Sequence, residues 1–237
     1  MSSICDGGHG RRTGSARMRI AALGFTRLRA AFGVALLALA ALLPAGAQEH
    51  APIETLDYVV IPDGQPWQPL QGRIEVVEVF SYGCVHCFHF QRLMDAWTRR
   101  QAEDVRVTYV PAVFSAGDTF ARGFFAAQTL GLQASTHHAV FSAVHERSRL
   151  PRSGAGIDAI AGFYAEHGAP SQAAFRAAMT SPATEEKLNA ANAFAIRSGV
   201  QGTPTLIING RYRVTARSLD DTLAIADQLI ARERAAR

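Results

Sequence analysis

Cys84-Val85-His86-Cys87 places two thiols two residues apart. On the first turn of a helix this spacing brings the sulfurs within bonding reach. The first cysteine then faces unpaired backbone N–H groups and the positive end of the helix dipole. Both favour thiolate over thiol, which lowers the pKa and makes the sulfur a nucleophile. His86 adds a donor and a potential positive charge. Two other chemistries use the same residues. His86 and His89 invite a Cys2His2 zinc reading, but such a site joins two separated ligand pairs, and here all four candidates lie within six residues with no second CxxC. A purely structural disulfide closing so short a loop constrains the unfolded chain little. Reactivity explains the spacing best, and no metal site is expected.

The elements that must position this pair follow from periodicity. Ile74-Glu75-Val76-Val77-Glu78-Val79-Phe80 has the β-branched content of a strand. Ser81-Tyr82-Gly83 turns the chain into Cys84. Cys87, Phe90, Leu93, Met94 and Trp97 then recur at helical spacing, so the pair sits at a helix start. Residues 105–110 alternate as a second strand. Upstream, residues 48–72 carry Pro52, Pro62, Pro66 and Pro69 and read as an irregular lead-in with a possible edge strand at 58–61. From about Asp118 to Ser198 strand signals vanish. Gly131, Pro151 to Gly156, Gly168 to Ser171 and Ser181-Pro182 punctuate four or five helices. Residues 205–208 and 211–214 form a hairpin about Asn209-Gly210. Leu219, Leu223, Ala226 and Ile230 define a closing helix. The order β-(CxxC)α-β, helices, β-β-α is an α/β thioredoxin fold with an inserted helical domain. The expected boundaries are 48–117 for the first part of the thioredoxin fold, 118–198 for the insertion and 199–237 for the second part.

Two further sites gain meaning within that fold. Gly202-Thr203-Pro204-Thr205 precedes the strand at 205–208. Proline is tolerated at a strand's first position. In a thioredoxin fold it is expected in the cis form beside the CxxC, which an X-Pro bond reaches at about 0.5–1 kcal/mol. There it would expose the backbone of Thr203 to an extended substrate. Glu78 shares a strand face with Val76 and Phe80. It either points to solvent at a sheet edge or is buried with a raised pKa, where it can exchange a proton with Cys87. The strand alone leans toward the solvent-facing reading.

The formal charge of +4 and pI near 9.3 suggest an acidic partner at first sight. The excess resides in the N-terminus. Residues 1–29 hold six arginines against Asp6, and an apolar run from Ala30 to Leu43 ends in Pro44-Ala45-Gly46-Ala47. These are the parts of a secretory signal peptide. The run is shorter than the roughly 20 residues of a spanning helix. Cleavage after Ala47 is expected, with Met1 or Met18 as the start. The remainder holds 18 basic and 19 acidic residues, so no positive excess points to nucleic acid. The arginines at 232, 234 and 237 read as a solvated helix end. Cys5 leaves with the leader, so an exported chain keeps one close pair in an oxidising compartment.

The stretch Glu78-Val79-Phe80-Ser81-Tyr82-Gly83-Cys84-Val85-His86-Cys87-Phe88-His89-Phe90 resembles the active-site segment of the DsbA family of periplasmic disulfide oxidases. Gly202-Thr203-Pro204-Thr205 resembles that family's cis-proline loop, and the resemblance spans roughly residues 50–234. It implies a depressed cysteine pKa and an oxidising disulfide, known properties of DsbA that the spacing alone does not establish. It further implies Cys84 as the exposed attacking cysteine, Cys87 as the buried resolving one, His86 as a stabiliser of the Cys84 thiolate, Glu78 as the buried acid and Pro204 as the cis-proline. It implies no cofactor beyond the redox-active disulfide, a periplasmic monomer, reduced unfolded exported proteins as substrates and a DsbB-like membrane quinone oxidoreductase as reoxidant. The chain departs from the family's common pattern at Val85, where proline is usual, and at Thr203, where valine is frequent. Both positions tune redox potential and substrate release. An isomerase or reductase like DsbC or DsbG is the alternative, but too few residues separate Ala47 from Cys84 for their N-terminal dimerisation domain. A non-enzymatic peptide-binding chaperone would use the groove beside Pro204. A kappa-class transferase likeness is opposed by the intact CxxC.

Overall fold

The computed structural model describes residues 51–115 and 117–237. The expected leader at 1–47, with Cys5, lies outside the described residues. Strand β2 (Ile74–Phe80) has neighbours on both sides, parallel β3 (Val105–Pro111) and antiparallel β4 (Thr205–Ile208). Strand β5 (Tyr212–Val214) pairs with β4, and β1 (Tyr58–Val60) closes the far edge, giving the order β1-β5-β4-β2-β3. Every residue of β2 is buried, as expected for a run of valine and isoleucine covered on both faces. The edge reading of Glu78 fails for this reason: β2 is interior, and Glu78 pairs in register with Tyr109 on one side and Leu206 on the other.

Helix α1 (Val85–Thr98) and helix α7 (Leu219–Ala235) cover one face of the sheet. Phe90, Met94 and Trp97 of α1 pack with Ile74, Val76, Leu206 and Ile208 of the strands and with Leu229 and Ile230 of α7. Each such side chain contributes roughly 1.5–3 kcal/mol by leaving water. Trp97 also donates its indole N–H to Asp227 at 2.8 Å. Truncating it to alanine would therefore cost both area and a hydrogen bond, about 3–5 kcal/mol for the cavity term and transfer together.

Five helices lie between β3 and β4: α2 (Thr119–Thr129), α3 (Gln133–His145), α4 (Ile157–Ala165), α5 (Gln172–Met179) and α6 (Pro182–Arg197). Three start where a short polar side chain accepts an orphan N–H: Asp118 from Ala121, Ser171 from Ala174 and Ser181 from Thr184. Pro182 follows Ser181 at the position where a missing N–H costs nothing. The insertion packs on the C-terminal end of β2 through an aromatic cluster in which Phe80 contacts Tyr82, Tyr109, Phe124, His137 and Phe141. Among the described residues no helix is long and apolar enough to cross a membrane.

The hairpin turn has Asn209 and Gly210 both at positive φ, 52° and 67°, the type I′ geometry its sequence predicts. A side chain at Gly210 would meet the carbonyl of Gln65, which fixes glycine there and seats the lead-in segment. The C-terminal arginines are not merely solvated. Arg232 donates to the Tyr58 hydroxyl at 2.7 Å, and Arg234 grips both carboxylate oxygens of Asp104. They tie α7 to the β1 edge and to the start of β3.

Candidate active site

Cys84 is the N-cap of α1, one residue before the first helical turn, and its sulfur accepts from the backbone N–H of Cys87 at 3.5 Å. The preceding Gly83 has no room for a side chain, since a Cβ there would lie 2.1 Å from the carbonyl oxygen of Arg152. A loop of the insertion therefore rests directly on the chain entering the CxxC. Both cysteines are free thiols, Cys84 half-buried and Cys87 fully buried.

The two thiols are driven in opposite directions. A hydrogen bond from the Cys87 thiol stabilises the Cys84 thiolate most, followed by the Thr203 side chain and the backbone N–H groups of Cys87 and His86. Together they outweigh partial burial and pull Cys84 down to about 5. Burial pushes the Cys87 thiol well up, and its hydrogen bond to Cys84 and the nearby Glu78 carboxylate add to this. His86 reaches Cys84 through its backbone N–H while its ring is exposed to solvent.

Pro204 follows a cis peptide bond from Thr203, and the Cys84 thiol donates to the Thr203 carbonyl at 3.3 Å. The hydroxyl of Thr205 donates to the Gly202 carbonyl at 2.7 Å and closes this loop. Residues 119 positions apart in sequence thus meet at the sulfur.

Glu78 is completely buried, and neither carboxyl oxygen has a hydrogen-bond partner among the described residues. Burial is the main cause that pushes it up to about 8, with the Cys84 and Asp95 charges adding and Gln91 offsetting only part. It is protonated over most of the neutral range and lies within electrostatic reach of Cys87.

The structure therefore brings Cys84, Cys87, Glu78, Thr203 and Pro204 together, with His86 at the rim. Sequence reasoning missed Gln91 and His145. Gln91 had a signal: it falls four residues after Cys87 on the apolar face of α1, where a polar side chain is anomalous. His145 had none. It lies at the end of α3, and only folding brings its Nε2 within 2.8 Å of the Tyr82 carbonyl. Among the described residues no group of three or more His, Cys, Asp or Glu side chains is arranged to hold a metal ion.

Residues 75–226 match the family described as the DSBA-like thioredoxin domain. The thiol:disulfide interchange protein DsbA of Azotobacter vinelandii is 34% identical over 184 residues, covering 76% of this chain and 83% of that protein. Its counterpart from Pseudomonas aeruginosa is 34% identical over 208 residues, covering 85% and 95%. The crystal structure of oxidoreductase DsbA from Xylella fastidiosa is 48% identical, with a TM-score of 0.76 over 78% of this chain and 100% of that one.

Proposed function

This chain belongs to the DSBA-like thioredoxin domain family and is a thiol–disulfide oxidoreductase, and from that premise we propose that it introduces disulfides into exported proteins through Cys84 and Cys87. The carrying observation is the opposite polarisation of the two thiols, one half-exposed with a pKa near 5 and one buried and held as a thiol beside Glu78.

A substrate thiolate attacks Cys84 of the Cys84–Cys87 disulfide. The S–S bond breaks, a mixed disulfide forms, and Cys87 leaves with the electron pair. Glu78, protonated at neutral pH, gives Cys87 its proton, so no thiolate persists in the apolar interior. A second substrate thiolate then attacks the substrate sulfur of the mixed disulfide. Cys84 departs as a stabilised thiolate, the substrate leaves oxidised, and the enzyme holds the two electrons. A favourable thiolate means a favourable reduced enzyme, hence an oxidising disulfide. Thr203 and Pro204 offer backbone to an extended substrate beside the sulfur, and His86 adds its N–H and ring at the rim.

The redox group is the cysteine pair itself, with no other cofactor. The protein acts in the periplasm as a monomer after loss of residues 1–47, and a DsbB-like membrane quinone oxidoreductase returns it to the disulfide. Residues 48–117 and 199–237 build the thioredoxin fold and 118–198 the inserted helical domain, a division that the run of five helices between β3 and β4 supports.

The test is oxidation of a reduced, unfolded secreted protein, with the redox equilibrium against glutathione measured on the same sample. Cys84→Ser abolishes oxidation, and Cys87→Ser accumulates a mixed disulfide at Cys84. A strongly reducing potential would overturn the oxidase reading in favour of a reductase or isomerase. Substrate oxidation that survives replacement of both cysteines by serine would remove the enzyme reading in favour of a peptide-binding chaperone.

A further inference from the structure

Helix α3 presents three side chains at four-residue spacing, His137, Phe141 and His145, and all three engage Tyr82, two residues before Cys84. Nδ1 of His137 lies 2.9 Å from the Tyr82 hydroxyl, the Phe141 ring meets the Tyr82 ring edge-on with centroids 4.9 Å apart, and Nε2 of His145 lies 2.8 Å from the Tyr82 carbonyl oxygen. A carbonyl only accepts, so Nε2 of His145 carries the proton. The same imidazole stacks on Phe88, with centroids 5.0 Å apart and planes 16° from parallel. Phe88 is on the first turn of α1, and its N–H bonds to the Cys84 carbonyl at 3.1 Å. One ring therefore grips the chain on both sides of Cys84.

We propose that His145 is a positioning residue for the reactive thiolate: it holds the Tyr82-Gly83 entry against the start of α1, so that the N–H groups of His86 and Cys87 converge on the Cys84 sulfur. These N–H groups stabilise the thiolate only when aimed at it, because hydrogen bonding falls steeply with angle. The contact of Gly83 with the Arg152 carbonyl limits where that entry can move, and His145 fixes what remains. Nδ1 of His145 is buried without a hydrogen-bond partner among the described residues. A second proton there would be desolvated and unpaired, so burial, with Arg152 and His89 nearby, holds the ring below the usual histidine range against the pull of the Tyr82 carbonyl and Cys84. His145 acts as a neutral donor, not as a second charge.

The proposal rests on the thiol–disulfide reading, but its readout is the titration of Cys84 itself. A low wild-type pKa in a protein that oxidises nothing would remove that reading and leave this test in force. The experiment follows the Cys84 thiolate by ultraviolet absorbance in the intact reduced protein. His145→Phe keeps a ring on Phe88 and loses the donor. The expected result is a Cys84 pKa raised by about one unit. At pH 7 that shifts the glutathione equilibrium by about tenfold toward the enzyme disulfide. Where the phenylalanine variant does not fold, His145→Gln and His145→Met make the same comparison, being alike in length and different in the donor. A glutamine variant with a lower Cys84 pKa than the methionine variant supports the assignment. A folded His145→Phe with wild-type Cys84 titration, or equal titration in the glutamine and methionine variants, overturns it even if thermal stability falls.

Discussion

Glu75 and Glu78 stand three residues apart in β2, both completely buried, and the protein treats them in opposite ways. Glu75 is saturated. It accepts from the backbone N–H groups of Trp67 and Gln68, from Arg106 at 2.9 Å and from the Thr108 hydroxyl. Glu78, on the other face, has no such partner and titrates near 8. A buried carboxylate with every lone pair used is a structural fixture, here pinning the proline-rich lead-in to the sheet. A buried carboxyl left unpaired is costly when ionised, and the cost is what gives it a pKa matched to the proton exchange of a thiol.

Removing either acid should break the comparison most sharply. Glu75→Ala leaves Arg106 partly buried without its counter-ion and strands two N–H groups, so denaturant unfolding should show a loss of about 3 kcal/mol. Activity per folded molecule should stay near wild type. Equal loss of specific activity would mean that Glu75 also belongs to the reaction.

Glu78→Gln should do the reverse. A carboxyl whose folded pKa is raised binds its proton more tightly in the folded state than in the unfolded chain. Its contribution is present below about pH 4.5 and is lost progressively as pH rises through about 8. A neutral glutamine removes that loss and should stabilise the protein at pH 7 by as much as ~3 kcal/mol, while slowing turnover. In the reduced protein Cys84 works in the opposite sense. Its folded pKa is depressed, so its contribution is present above the unfolded thiol value and fades as pH falls through about 5. In the wild type the two trends oppose each other between pH 5 and 8. In reduced Glu78→Gln, stability should rise with pH across that window, and a flat or falling profile would refute the assignment of the wild-type trend to Glu78.

The smallest effect should come from Thr203→Val. It removes the side-chain support of Thr203 for the Cys84 thiolate but leaves the Cys87 thiol and the N–H groups of α1. The Cys84 pKa should rise by about half a unit, with little change in stability. A larger rise would make Thr203, not the Cys87 thiol, the main support of the thiolate.

Local chemistry made much of this protein legible. The valine-rich run, the CxxC at the head of an apolar helical stripe and the Asn-Gly turn each act over a few residues, so the sequence alone determined those strands, the start of the first helix and the reactive pair. It also gave the order of elements that closes into a thioredoxin fold around a helical insertion. What depends on distant partners was not determined that way. Whether Glu78 faced solvent was decided by β3 and β4 flanking β2, and alternation along one strand carries no information about neighbours. The same applies to Gln91, to the grip of the C-terminal arginines and to His145, whose meeting with Tyr82 spans 63 positions. The cysteine spacing announced thiol chemistry. The tertiary structure decided which thiol ionises, because burial and convergent donors, not spacing, set the two pKa values apart.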